Sequence, residues 1–284
     1  MDDLRVEQRP GVDAVSEAEL SSRTEASVQR RLRRRQFVLR FVSVVLLVAL
    51  WELVSRLVPY KAIVSPGETM ATIWRELVSG ELMTNLGFTM RRVAIAFGLA
   101  MLLGTLIGVG IGAYRVVDSL LSIWVTVFIT VPGLIWLVVG YVAFGIRGDG
   151  GAIFGVVTMV TPTVMVTVVQ GTKALDRHLS EMARSYGHGT RSMLTRVVLP
   201  QLLPYEFAAA RYGLALTWHM VLFAEIIGRP NGFGFKIYFN YQISFIPGIW
   251  AYGIAFVIIA LFLEYGVLAT LQRRLFRWRQ ESTI

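Results

Sequence analysis

Few residues in this sequence have the type and setting to do chemistry. There are three histidines, His178, His188 and His219, and no cysteine. His178 and His188 flank a predicted turn, but two ligands do not complete a zinc site. The carboxylates within or beside long apolar runs are Glu206, Glu225 and Glu264. With His219 they form no evident acid–base pair. The sequence has no G-x-x-x-x-G-K-[ST] phosphate loop, no H-E-x-x-H pair and no G-x-S-x-G elbow. Lack of thiols excludes a disulfide framework, a cysteine nucleophile and thiolate metal sites. What remains is charge placed where charge is costly, and one polar segment suited to transmitting force.

That segment runs from Leu175 to Pro204. Asp176 or Ser180 can cap a helix start. Leu175, Leu179, Met182 and Tyr186 recur at helical spacing. Gly187 fits the left-handed position that ends a helix. Thr190 can cap a second helix, with Met193, Leu194 and Val197 as its apolar side. Pro200 and Pro204 then redirect the chain. The pattern predicts a helix–turn–helix with an amphipathic first helix. Such a helix can sit in a partner's groove or lie on lipid, and the pattern alone leaves both open.

Composition says where this segment must lie. Of 284 residues, 55% are hydrophobic and 17% charged, against about 45–50% and about 25% in soluble domains. The length holds about six spans of roughly 20 residues. The apolar runs predict them at about 36–57, 86–114, 117–145, 152–170, 204–227 and 248–271. Residues 1–35 read as a disordered basic tail, 36–271 as the membrane domain with a loop at 173–203, and 272–284 as a C-terminal tail. No cleavable signal peptide is expected, because a charged tail precedes the first apolar run and no small-residue cleavage site follows it. Ser65-Pro66-Gly67 is a turn and helix-start signal, and a short surface helix is expected over Thr69–Val78. In the second run, Gly104, Gly108 and Gly112 have the four-residue spacing of close helix packing. Pro132-Gly133 predicts a kink in the third. Gly148-Asp149-Gly150-Gly151 and Asn231-Gly232-Phe233-Gly234 read as outer turns.

The net charge of +9 is placed by topology, not spread over one face as in a nucleic-acid binder. Fifteen basic residues fall on one side: Arg30, Arg31, Arg33, Arg34, Arg35, Arg115, Lys173, Arg177, Arg184, Arg191, Arg196, Arg273, Arg274, Arg277 and Arg279. Five fall on the other: Lys61, Arg75, Arg147, Arg229 and Lys236. The excess puts both termini and the 173–203 loop in the cytoplasm. Arg91-Arg92, at the outer border of the second span, runs against the trend.

Several residues in the spans stand out. Glu225, near the outer end of the fifth, must face protein or water. It reads either as a lining or gating residue of a path or as a structural hydrogen-bond partner. Trp218 and His219 read as path lining or as helix packing. Arg211 needs a carbonyl or carboxylate partner in the bundle interior, and Pro132 marks the broken third span.

The loop decides among these readings by resemblance. Glu181-Met182-Ala183, Gly187 and Val197-x-Leu199-Pro200 match in spacing the E-A-A-x3-G-x9-I-x-L-P pattern of ABC-importer permeases, with Met182 for Ala and Val197 for Ile. The chain resembles that family over about residues 36–280, and within it the nitrate/sulfonate/taurine-type permeases. Ser65-Pro66, Gly80-Glu81-Leu82, Arg92, Phe97-Gly98, Ala210-Arg211, Trp218, Ala224-Glu225 and Asn231-Gly232-Phe233-Gly234-Phe235 carry the likeness. So do Arg274 and Arg277-Trp278 near the C-terminus. Val138, where a second proline is usual, and His219, where an apolar residue is usual, depart from it.

The resemblance implies an all-α type I ABC importer permease bundle in a bacterial inner membrane, a transport subunit and not an enzyme. It implies that Glu181, Met182, Ala183, Gly187, Val197, Leu199 and Pro200 couple the chain to two ATPase subunits. Those subunits bind ATP and Mg; this chain needs no cofactor. It further implies a second permease copy, an extracytoplasmic binding protein and a small anionic solute. Pro132, Arg211, Trp218, His219 and Glu225 are then the expected path residues. A secondary transporter would need internal repeats and coupling-ion carboxylates near the midplane. An integral-membrane enzyme would need a catalytic constellation. The sequence shows none of these.

Overall fold

A computed structural model describes residues 35, 36, 38–58 and 62–275, and no strand occurs among them. The expected tails, 1–35 and 272–284, fall almost wholly outside the described residues. The chain divides into two compact units, Met1–Pro66 and Gly67–Ile284.

In the first unit, α1 (Val38–Leu57) is apolar and long enough to cross a bilayer. Its side chains are largely exposed. Trp51 Nε1 donates to Val64 O at 2.9 Å.

α2 (Pro66–Val78) begins at the Pro66 start signal, three residues before the expected Thr69. α3 (Glu81–Ala113) and α6 (Gly150–Lys173) are long apolar spans. Their pairing depends on the glycine stripe. A Cβ at Gly108 would lie 2.9 Å from Val168 Cβ, and one at Gly104 would meet Val164. Backbones this close gain dispersion contacts, which replace the hydrophobic drive that lipid cannot supply. Ala96, Ala100, Val156, Val160, Val164 and Val168 fill the seam and are buried.

The third expected span is broken more sharply than a proline kink. α4 (Arg115–Thr130) and α5 (Gly133–Phe144) meet at 97°. With 16 and 12 residues, they reach about 24 and 18 Å, each short of a core about 30 Å thick. Pro132 lies between them in an extended conformation (φ −54°, ψ 132°). The helix therefore stops and restarts.

α7 (Arg177–Ser185) and α8 (Thr190–Met193) form the loop expected at 173–203. A π-helical segment, Leu194–Val198, follows, then α9 (Leu199–Gly228). At 30 residues α9 is long enough to cross. It is less apolar than α1, α3, α6 and the last span, since it carries Glu206, Arg211, His219 and Glu225. α10 (Phe233–Gln242) is a short outer helix. α11 (Ile246–Leu261), a second π-helical segment (Phe262–Leu268) and α12 (Ala269–Leu275) make the last span.

Candidate functional site

The loop at 173–203 is built largely as its sequence predicts. Asp176 caps α7, its Oδ1 accepting from His178 N–H at 2.8 Å. Gly187 adopts φ 75°. Its N–H bonds Arg184 O at 2.9 Å, and His188 N–H bonds Ala183 O at 3.1 Å. These paired bonds are a Schellman cap. Gln201 ties the loop to α9, accepting from Asp176 N–H at 2.9 Å.

The second half differs from expectation. Thr190 does not cap a helix; Gly189 holds that position without a side-chain bond. Pro200 does not redirect the chain. α8, the π segment and α9, of 4, 5 and 30 residues, are continuous. Pro200 has no N–H to bond the preceding turn. The widened turn absorbs the defect, with Leu199 N–H reaching back five residues to Leu194 O. One helical rod of about 58 Å thus runs from the loop to the outer end of α9.

Met182, Ala183, Val197 and Pro200 line a cleft of about 850 Å³ between α7 and the foot of the rod. Ala183 is buried, whereas Met182 is 53% and Tyr186 79% exposed. Glu181 and Leu199 point outward. The apolar side of α7 is therefore incompletely covered by the chain itself.

The far end of the rod is locked. Glu225 is fully buried and Arg92 is 1% exposed. Arg92 Nη1 donates to Glu225 Oε1 at 2.6 Å. Thr89 donates to the same oxygen at 2.9 Å, and Gly234 N–H donates to Oε2 at 2.9 Å. Arg92 also donates through Nε to Asp149 Oδ1 at 2.8 Å and through Nη1 to Asn231 O at 2.9 Å. Its Nη2 bonds Asn231 Oδ1. Arg91 and Arg229 pair with Asp149 as well. Arg229 Nη1 donates to Ile146 O at 2.8 Å and Gly148 O at 2.7 Å. Burial pushes the Asp149 carboxyl pKa upward. The bond and charge of Arg92, with Arg91 and Arg229, outweigh that and hold it below its ordinary value. The outer glycines now have a reason. Gly232 has φ 106°, and a Cβ there would collide with the Glu225 carboxylate.

One family matches more than half of this chain. The binding-protein-dependent transport system inner membrane component family covers residues 100–277. The chain belongs to that family. A probable ABC transporter permease protein of Brucella abortus (strain 2308) is 28% identical over 78% of this permease and 88% of the relative. The taurine transport system permease protein of Escherichia coli (strain K12) is 29% identical over 74% and 73%. A crystal structure of an amino acid ABC transporter with histidines shares the fold. Its TM-score is 0.56 at 18% identity, over 69% of this permease and 95% of that chain. The permease is a transport component and not an enzyme.

The expected path residues lie apart. Trp218 is buried edge-on to Phe256, ring centroids 5.3 Å apart. Glu225 belongs to the lock. His219 is exposed on α9, its Nδ1 2.6 Å from Ala215 O. Arg211 is exposed and donates to Glu264 Oε1 from Nη2 at 3.0 Å and Nε at 3.3 Å. Sequence reasoning missed Thr89, Asp149 and Asn231 as partners of Arg92 and Glu225. The expected carboxylate partner of Arg211 is Glu264, and the pair is exposed, not in the bundle interior. The usable signal for the lock was an arginine and a carboxylate, each near the end of an apolar span, where a buried charge needs a partner.

Proposed function

We propose that this permease forms, with a second identical copy, the path of an ATP-driven importer in a bacterial inner membrane. Two ATPase subunits bind ATP and Mg, and their closure is transmitted through residues 175–200. An extracytoplasmic binding protein delivers a small anionic solute from the outer side. A taurine permease among the relatives supports a sulfonate-like cargo. Within the path we assign Arg211 and His219 to the wall that meets solute. Trp218 and Glu225 hold that wall in place from behind, and the Pro132 break shapes it.

One observation carries this reading. The exposed apolar side of α7, at Met182 and Tyr186, is held by a fixed turn to one unbroken helix reaching the outer surface. A partner that seats α7 and moves it must move α9. Lipid contact alone would give that rod nothing to follow.

The test is co-purification with the partner ATPase subunit. Met182→Asp puts a charge on the docking face and leaves the bundle untouched. It is expected to abolish ATPase retention while the permease stays folded. Full retention with unchanged ATP-driven uptake would overturn the docking assignment.

A further inference from the structure

Arg211 and Glu264 lie deep in two spans and pair with each other. Arg211 lies about 18 Å along α9 from its cytoplasmic start. Both are accessible, with side-chain exposures of 50% and 38%. A charge facing hydrocarbon at this depth is strongly disfavoured, so such residues face water or protein. At Glu225, by contrast, the permease buries a charge and meets both carboxylate oxygens with donors. The Arg211 pair is built differently. Both donated bonds go to the single oxygen Oε1. Arg211 Nη1 and Glu264 Oε2 have no hydrogen bond among the described residues. A guanidinium has donors for a bidentate anion, and part of this one is unused. Two further observations mark the place. Glu264 sits in the π-helical segment Phe262–Leu268, a geometry frequent at functional sites. Arg211, Ala215 and His219 are exposed at four-residue spacing on one stripe of α9. The small Ala215 leaves room between the guanidinium and the imidazole.

We propose that Arg211 and Glu264 form an exchangeable ion pair that selects for anions in the path, with Glu264 the counter-charge that a passing sulfonate or carboxylate displaces. Arg211 attracts the anion through its unused edge. Glu264 keeps that attraction weak enough for release and returns to Arg211 afterwards. This rests on the reading above that α9 faces the path.

The absence of cysteine makes the test clean. Ala215→Cys is introduced into the full transporter, retained with its ATPase, in membranes. Its reaction rates with sulfonatoethyl and trimethylammonioethyl methanethiosulfonate give an anion-to-cation ratio. Ser79→Cys, on the outer surface, is the reference. Glu264→Gln should raise the ratio about threefold or more, and Arg211→Gln should lower it similarly. In a water-like medium a unit charge about 10 Å away changes each probe's rate about twofold, in opposite senses, so the ratio moves about fourfold. Arg211→Lys and Glu264→Asp keep the charges and should leave the ratio near the parent value, which separates charge from misfolding. A silent Ala215→Cys beside a reactive Ser79→Cys would overturn the proposal, because the stripe would then face lipid or protein. A ratio indifferent to both charge removals would overturn it too. Neither result touches the docking claim, which ATPase retention decides.

Discussion

Arg92 Nη1 on α3 lies 2.6 Å from Glu225 Oε1 on α9, across 133 residues of sequence. Taking two such charges out of water costs several kcal/mol per ion, recovered only when the remaining donors and acceptors are also met. Thr89, Gly234, Asp149 and Asn231 meet them. The pair pins the end of the rod that lies away from the Gly187 turn. Under the proposed function, motion at the loop would pivot the rod about this fixed point.

Removing one partner should be severe. Glu225→Ala leaves Arg92 buried with less compensation, and a loss of about 3–5 kcal/mol is expected. Unfolding of the purified permease in detergent measures it. Arg92→Leu with Glu225→Leu together should recover much of that loss, since no charge is then left unpaired at that contact. A Glu225→Ala protein as stable as the parent would show that the pair is dispensable.

Gly232→Ala should destabilise by about 1–3 kcal/mol from its left-handed backbone alone. The collision with Glu225 adds to this. Gly98→Ala is the matched control, because it lies in α3 with nothing within 4 Å of the added carbon. There the helix should tighten by about 1 kcal/mol. The two variants separate geometry from mere loss of glycine, and thermal unfolding of each reads the difference.

Asp149 gives the outer cluster a pH dependence. Its carboxyl pKa is depressed in the folded state. Its contribution is therefore complete above the ordinary carboxylate value of about 4. It is lost as pH falls through the lower folded value. Melting temperature should drop on acidification below about pH 4, and Asp149→Asn should flatten that acid limb. Equal slopes in parent and variant would contradict the role given to Asp149.

The spans were legible because apolar runs and helix-breaking residues are local signals. The Asp176 cap and the Gly187 turn were legible for the same reason, since each bond spans only a few residues. Two things were not. Pro200 reads as a breaker in any local rule, and only the π turn before it lets the helix pass. Arg91-Arg92 reads as a topology exception because its partners lie far along the chain. Arg91, Arg92 and Arg229 share Asp149 and Glu225, and Lys236 lies 2.6 Å from Glu81 Oε2. These outer cations are paired, so they say little about which side the chain retains.

The central claim is that the Gly187 turn and the rod behind it carry ATPase motion into the membrane. The most direct measurement is the ratio of solute imported to ATP hydrolysed, in vesicles holding the full transporter and its binding protein. Gly187→Pro cannot adopt the left-handed turn. It should leave ATP hydrolysis running while that ratio falls about tenfold or more, equivalent to about 1.4 kcal/mol of lost coupling. Glu181→Lys should lower it in the same direction. An unchanged ratio in both variants would contradict the claim.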